Sequence, residues 1–421
     1  MKVHPGSAAK YLQEGVLQVD YPELDVTHVP PGVLILPALG TVLTVAMAAG
    51  IPVEVDEVDD EFAAGLDEMN ATWRRLHPRF RPGFELRAAR TATPTRDLDG
   101  EMLLWSGGLD STASLIAQRE RVRALFTVWG ADVGLYDAAL WQSLNRHFDD
   151  NPLTEGIPRI VARSNMRRFP ITLAVVHDFL SPGESWWGRV QHGLALAGLA
   201  APATVAHGVG ALIRAASFSP QSNQATGSMP ELDELTRWAG VGIRHEGFEL
   251  TRQQKITERV APFLSGGGRL TLAVCFRHHR HDGDRGVNCG TCEKCLRTAA
   301  GLLAAGIDPA TVGLRVTADT YAAWTARLTQ GLPLHSHSLQ FWQEVRADIS
   351  GLPPAEPAAA NFMAALADDR SLVLAGPPTD RADFLRTYRA KRRAARWRRA
   401  KASATRVGRM TRRRLTAVIA G

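Results

Sequence analysis

Glu101-Met-Leu-Leu-Trp-Ser-Gly-Gly-Leu-Asp-Ser-Thr112 decides how this chain folds. Residues 102–105 form a short apolar strand pattern, and residues 112–119 a helical one. Between them, Gly107 and Gly108 let the backbone turn sharply and come close to a ligand. The amides of such a turn, and of the helix start behind it, present positive partial charge to a phosphate. Ser106, Ser111 and Thr112 add hydroxyl donors. A bare phosphate would repel Asp110, so the acid points to Mg2+ bridging carboxylate and phosphates. The Gly-x4-Gly-Lys-Ser/Thr loop of ordinary nucleotide hydrolases lacks that acid. The bland reading is a Gly-Gly turn capped by Ser or Asp. The strand before it and the Asp-Ser-Thr after it favour a ligand loop.

Working outward, strands and helices alternate. Residues 124–129, 159–162, 204–207, 242–245 and 270–274 read as strands, and residues 186–199, 252–263 and 293–305 as helices. This alternation predicts an α/β fold with a doubly wound parallel sheet. Residues 1–95 read as a small N-terminal α/β domain. It has strands at 51–56 and 83–88, an amphipathic helix at 61–76 and a buried helix entered after Pro37. A polar connector at 90–96 leads into the main domain, 96–306. Residues 307–382 form a helical C-terminal extension, with helical stretches at 320–328, 337–349 and 358–367. Residues 383–421 are a basic tail.

At 421 residues, 45% apolar and 22% charged, the chain has the composition of a soluble protein of two or three domains. The longest apolar run, 33–50, is broken by Pro37, Gly40, Thr41 and Thr44 and falls short of a membrane span. No N-terminal pattern of a secretion signal is present, so the expected location is cytoplasmic. The net charge of +6 misleads as an average. Fourteen of the 49 Lys and Arg lie between Arg386 and Arg414, which leaves 35 against 43 acids in the body. The basic character belongs to the tail, a candidate contact for RNA, an anionic surface or an acidic partner. Its bland reading is a solubilising extension.

All four cysteines, Cys275, Cys289, Cys292 and Cys295, fall within one short stretch. A Cys-x2-Cys-x2-Cys run plus one distant cysteine can converge on a tetrahedral metal site, with Zn2+ favoured over an iron–sulfur cluster. His278, His279 and His281 lie in the same loop and read as a solvated cluster.

The loop from Ser106 to Thr112 resembles that of the PP-loop ATP pyrophosphatases. The resemblance implies an adenine nucleotide alpha hydrolase-like fold that cleaves ATP between its α and β phosphates. AMP passes to a carbonyl or carboxylate oxygen, and the loop (Ser106, Gly107, Gly108, Leu109, Asp110, Ser111, Thr112) holds the pyrophosphate portion. Cys289-Gly-Thr-Cys292-Glu-Lys-Cys295-Leu-Arg297 is similar to the zinc site of the 7-cyano-7-deazaguanine synthase branch of that superfamily. That branch adenylates a deazapurine carboxylate and delivers ammonia to form a nitrile by way of an amide.

A closer resemblance, over about residues 30 to 306, is to a group of bacterial PP-loop proteins with an extra N-terminal domain. It rests on Trp129-Gly-Ala-Asp132, Arg163-Ser-Asn165-Met-Arg167, Gly227-Ser-Met-Pro-Glu-Leu-Asp233, His245-Glu-Gly247, Thr251-Arg-Gln-Gln-Lys255 and Asn288 to Thr298. Met229 stands where that group has histidine. The cyano-deazaguanine synthases begin near the loop, so their substrate is not implied.

Further candidates follow from position. Arg163, Asn165, Arg167 and Arg168 follow a strand at the sheet edge where open α/β folds bind ligands, and Asn165 and Arg167 match the group pattern. Asp132 follows the second strand and is a candidate for positioning the nucleotide. Lys255, with Arg252, opens a helix and can neutralise charge on departing pyrophosphate. Each has an ordinary reading as a surface turn or helix-surface cation. His207 reads as structural, and Trp186-Trp187 as packing over the pocket.

The expected function is therefore an ATP-dependent, AMP-forming ligase or amidating enzyme using ATP, Mg2+ and Zn2+. Asp110, Lys255 and Arg167 are its candidate catalytic residues. Its partners would be a small-molecule acid or carbonyl substrate and an ammonia, amine or sulfide donor. The rivals are a thiolation-type tRNA-modifying enzyme, whose RNA binding would vanish with the tail, and a non-catalytic nucleotide-binding subunit. With all four cysteines on zinc, none remains as a sulfur carrier.

Overall fold

Met102 and Leu103 are fully buried, which suits a short apolar segment at the centre of a parallel sheet covered on both faces. The structure, a computed structural model, describes residues 1–93, 97–181, 184–222, 224–275, 287–349 and 354–375. The basic tail, the three loop histidines and part of the 90–96 connector lie outside the described residues. Met1–Leu180 with Ser185–Ala375 forms one unit; of the second unit, only Ser181 and Glu184 are described.

The central sheet has seven strands: β1 (Val19–Asp20), β2 (Glu101–Leu104), β3 (Val122–Trp129), β4 (Arg159–Ser164), β5 (Ala211–Ala215), β6 (Arg237–Trp238) and β7 (Val241–Glu246). Their spatial order is β6-β7-β5-β2-β3-β4-β1. The five inner strands are parallel, and the edge strands β1 and β6 pair antiparallel. The chain runs outward from β2 to β4, then crosses to the other side of β2 for β5 and β7. That reversal opens a crevice between the carboxyl ends of β2 and β5.

Six helices matter for the site: α1 (Leu36–Ala49), α2 (Leu109–Gln118), α3 (Ala138–Asp149), α4 (His192–His207), α5 (Glu293–Ala304) and α6 (Ser336–Ala347). Every residue of α1 is buried, as expected of the helix after Pro37. It packs against α4 through glycines. A Cβ on Gly198 would lie 2.4 Å from the Leu36 carbonyl, and one on Gly40 would lie 2.5 Å from that of Leu194. Gly198→Val should therefore force the helices apart and lower stability by about 1–3 kcal/mol, read as an earlier urea midpoint. An unchanged midpoint would contradict this packing.

Two expected strands are corrected. Residues 204–207 are the last turn of α4, which ends at Gly208 in the left-handed region with φ 72°. Burial of this helix overrides the β tendency of Thr204 and Val205. Thr204 Oγ1 also bonds back to the Ala201 carbonyl and accepts from Trp238 Nε1. The strand lies further on, at β5. Residues 270–274 join no strand among the described residues. Their amides go elsewhere: Leu272 N to Val312 O, Ala273 N to Gly107 O at 2.7 Å, and Val274 N to the Asn288 side chain.

The helix expected over 61–76 is broken at Gly65 into Asp60–Ala64 and Leu66–Leu76, where the Leu235 carbonyl leaves no room for a Cβ. The helix expected from 186 begins as a π-turn, Trp187–Gln191, before α4.

The C-terminal helices Ala318–Thr329, α6 and Pro357–Ala367 enter the same hydrophobic cluster as Leu103 of β2 and Leu109 of α2. Trp324 stacks on Trp342 with centroids 5.9 Å apart. Among the described residues, no helix is long and apolar enough to cross a membrane.

Candidate functional site

β2 ends at Leu104 and α2 begins at Leu109, so Ser106, Gly107 and Gly108 must turn the chain from strand to helix. Gly107 adopts φ 67°, and a Cβ there would come within 2.6 Å of the Phe148 ring. Only glycine fits. Ser106 Oγ lies 3.2 Å from Ser111 Oγ and accepts from Gly108 N, and Ser111 Oγ bonds to the Gly108 carbonyl. The loop is thus closed on itself at the amino end of α2, at the mouth of the crevice.

Above the loop lies a cavity of about 530 Å³, a size common among small-molecule sites. Its walls divide by chemistry. Phe126, Val133, Trp141, Leu144 and Phe148, from β3 and around α3, make an apolar side. Ser106, Gly108, Leu109, Asp110 and Ser111 form the floor, adjoined by Arg252, Lys294 and Arg297. Trp187, His192, Arg214, Ser217, Thr226 and Ser228 make a polar third side.

Asp110 is the electrostatic centre. Its Oδ2 accepts from Arg252 Nη1 at 2.6 Å and from Ser217 Oγ at 3.4 Å, and Lys255 Nζ stands 3.9 Å from Oδ1. Burial alone would raise this carboxyl's pKa; the charges of Arg252, Lys255 and Lys294 hold it below the ordinary value. Among the described residues, Oδ1 has no hydrogen-bond partner, and neither does the fully buried Thr112 Oγ1.

Lys255 is fully buried and donates to the Ala216 carbonyl at the end of β5. Burial lowers its pKa, against the pull of Asp110. Burial and Arg252 push Lys294 down to about 8, and burial, opposed by Glu293, leaves Arg297 at about 10. Four cations therefore crowd three carboxylates, Asp110, Glu293 and, at the mouth, Asp132. Such a concentration of cations around the cavity suits a multiply charged anion.

On the polar side, Arg214 pairs with buried Asp233, which also receives Ser228 Oγ at 2.9 Å and contacts His245 Nδ1 at 2.6 Å. Burial and the nearby Arg214 push His192 down to about 4, so it stays neutral near pH 7. Of these groups Arg214, Ser228 and His192 line the cavity, where they form a hydrogen-bonding wall.

The other sequence candidates are dispersed. Asp132 is exposed and lines the cavity mouth. Arg167 lies at the rim, its guanidinium 4.1 Å from the Trp187 ring centroid and bonded to the Ala131 carbonyl. Asn165 is engaged structurally: Oδ1 accepts from Gln18 N and Nδ2 donates to the Val16 carbonyl. Arg163 stacks on Trp129. His207 is exposed at the end of α4, and Met229 caps a short helix outside the cavity lining. Trp186 is buried among Phe80 and Phe179, whereas Trp187 faces the cavity.

Arg214, His192 and Phe341 carry no signal in the sequence beyond their residue types, and Lys294 and Arg297 entered only as part of the cysteine motif, with no role of their own. Lys294 and Arg297 had one available clue. Three residues apart at the start of a helix after the cysteine run, they must share a face.

The four cysteine sulfurs lie within 4.8 Å of one another, with Cys275–Cys292 and Cys289–Cys295 each at 3.9 Å. A tetrahedron of bonds of about 2.3 Å has edges of about 3.8 Å, so the arrangement is compatible with a metal ion such as zinc. Cys289 Sγ also accepts from the amides of Thr291 and Cys292, donors that suit a metal-bound thiolate. Gly290, with φ 66°, makes that tight knuckle possible. Cys292 then caps α5, whose first five residues carry Glu293, Lys294 and Arg297 into the cavity. The cysteine cluster thus adjoins the two cations that α5 supplies, Lys294 and Arg297. Comparisons with protein-family models, with curated proteins and with solved structures find no match for this chain.

Proposed function

We propose that this protein is an ATP-dependent, AMP- and pyrophosphate-forming ligase that activates a carboxylate or carbonyl oxygen of a small molecule. One observation carries the reading. The loop carboxylate Asp110 lines a cavity at the sheet's crossover point together with Arg252, Lys294 and Arg297, and Lys255 Nζ stands 3.9 Å from it. An acid at the helix amino terminus and an excess of cations make sense together when phosphates and a divalent ion lie between them.

In this reading the phosphates of ATP rest on the amides of Gly107 to Ser111, and the base enters the apolar side near Phe126, Val133 and Trp141. Asp110 is the residue that would hold Mg2+, which when bound neutralises charge on the phosphates. The substrate oxygen attacks the α-phosphorus, and the bond to the bridging oxygen breaks to release pyrophosphate. Arg252, Lys255, Lys294 and Arg297 stabilise the charge that develops on this leaving group. A nitrogen nucleophile then adds to the activated carbon and AMP departs. The chain's contribution is positioning and fixed charge, with no protein nucleophile required. Zn2+ on Cys275, Cys289, Cys292 and Cys295 would serve the fold, since four thiolates leave no open position for catalysis.

The test is to incubate the purified protein with ATP and metabolite pools and measure AMP and pyrophosphate, with Asp110→Ala as control. Formation of both by the wild type alone supports the reading. Release of ADP and inorganic phosphate in their place rejects it.

A further inference from the structure

α6 reaches the cavity from near the far end of the described chain. Its Phe341 contacts groups from three other segments. The ring stacks on Phe218, centroids 5.4 Å apart and planes 22° apart. Arg297 Cζ lies 4.4 Å from the ring centroid, and Arg252 Cζ lies 6.0 Å from it. The helix is held in place independently of these contacts. Trp342 Nε1 donates to Glu293 at 2.9 Å, Gln253 Nε2 to Asp348 at 2.9 Å, and Gln224 Nε2 to Ser336 at 3.0 Å.

Arg252 and Arg297 are 7% and 5% exposed, and both line the cavity. Among the described residues, Arg252 Nη2 and Arg297 Nη1 have no hydrogen-bond partner. Buried guanidinium nitrogens are rarely left so, and in a cavity they call for an acceptor from a ligand. Two like charges this close also tend to swing apart. An aromatic face attracts a cationic plane and restricts its tilt, which a neutral aliphatic side chain cannot do.

Accepting the pyrophosphate-forming reading above, we infer that Phe341 is a positioning residue for the anion subsite. Its ring holds the Arg252 and Arg297 guanidinium groups so that their unpartnered nitrogens bind the pyrophosphate oxygens. The C-terminal helical extension thus completes the site.

The experiment measures binding of inorganic pyrophosphate to the full-length, metal-loaded protein by calorimetry, with thermal melting of each variant as a check on folding. Phe341→Leu keeps apolar bulk and should weaken binding about tenfold, the scale of a desolvated cation–π contact. Phe341→Tyr keeps the ring and should stay within about threefold of wild type. Arg297→Lys keeps the charge and loses the plane. It should also bind about tenfold more weakly, and adding Phe341→Leu to it should cost much less than in the wild-type background. Wild-type affinity in either Phe341→Leu or Arg297→Lys overturns the inference, so it stays testable if one of them does not fold. A wild type that binds no pyrophosphate rejects the functional reading as well. A wild type that binds, with unaffected variants, rejects only the role of Phe341.

Discussion

Asp110→Asn is expected to cut formation of AMP and pyrophosphate by 10²–10³-fold, about the scale on which a preorganised electrostatic contact acts. The side chain keeps its volume and still offers Arg252 an acceptor oxygen at the present 2.6 Å contact. It loses its charge. The cavity then gains a net positive charge, so ATP affinity should hold or rise while the group proposed for Mg2+ is gone. The expected signature is a fall in kcat with no increase in KM for ATP. A mutant with wild-type kcat would remove Asp110 from the mechanism. The carboxyl is held below its ordinary value of 3.8 by Arg252, Lys255 and Lys294, against the upward effect of burial. Its contacts with those cations therefore stabilise the fold fully above that pH. They are lost only as pH falls through the lower folded-state value.

The second large effect concerns the cysteines. Cys292→Ser should abolish stoichiometric metal and lower the melting temperature by roughly 10 °C, because metal binding at such a site is folding free energy of several kcal/mol. The loss should reach the cavity too. Cys292 caps α5, and Glu293, Lys294 and Arg297 lie within the helix's first five residues. Nucleotide affinity should therefore fall with the metal, even though no cysteine lines the cavity. Elemental analysis and a nucleotide titration of the same preparation check both halves. A Cys292→Ser protein that keeps one metal ion per chain would count against the cluster, and iron in the wild type would replace zinc in this account.

Local chemistry was the legible part of this molecule. The strand–loop–helix around Gly107, the buried α1 and the cysteine spacing each depend on neighbours a few residues away, where glycine freedom, apolar periodicity and ligand spacing act directly. The two mistaken strands show where local signals fail. Thr204 and Val205 favour a strand, yet the buried face of α4 outweighs them. Residues 270–274 look like a strand, but their amides find loop carbonyls and Asn288 first. Asn165 was a plausible ligand residue until the N-terminal segment claimed both ends of its amide.

By itself, then, the sequence determined an α/β chain with a glycine loop carrying Asp110 and a four-cysteine cluster. Only the tertiary structure decided that Arg252, Lys255, Lys294 and Arg297 gather around Asp110, that Arg167 stays at the rim, and that Phe341 packs against Arg252, Arg297 and Phe218. The physical reason is distance along the chain. These groups come from segments up to 231 positions apart, and no periodicity or motif encodes a contact between elements that meet only when the sheet and its covering helices pack.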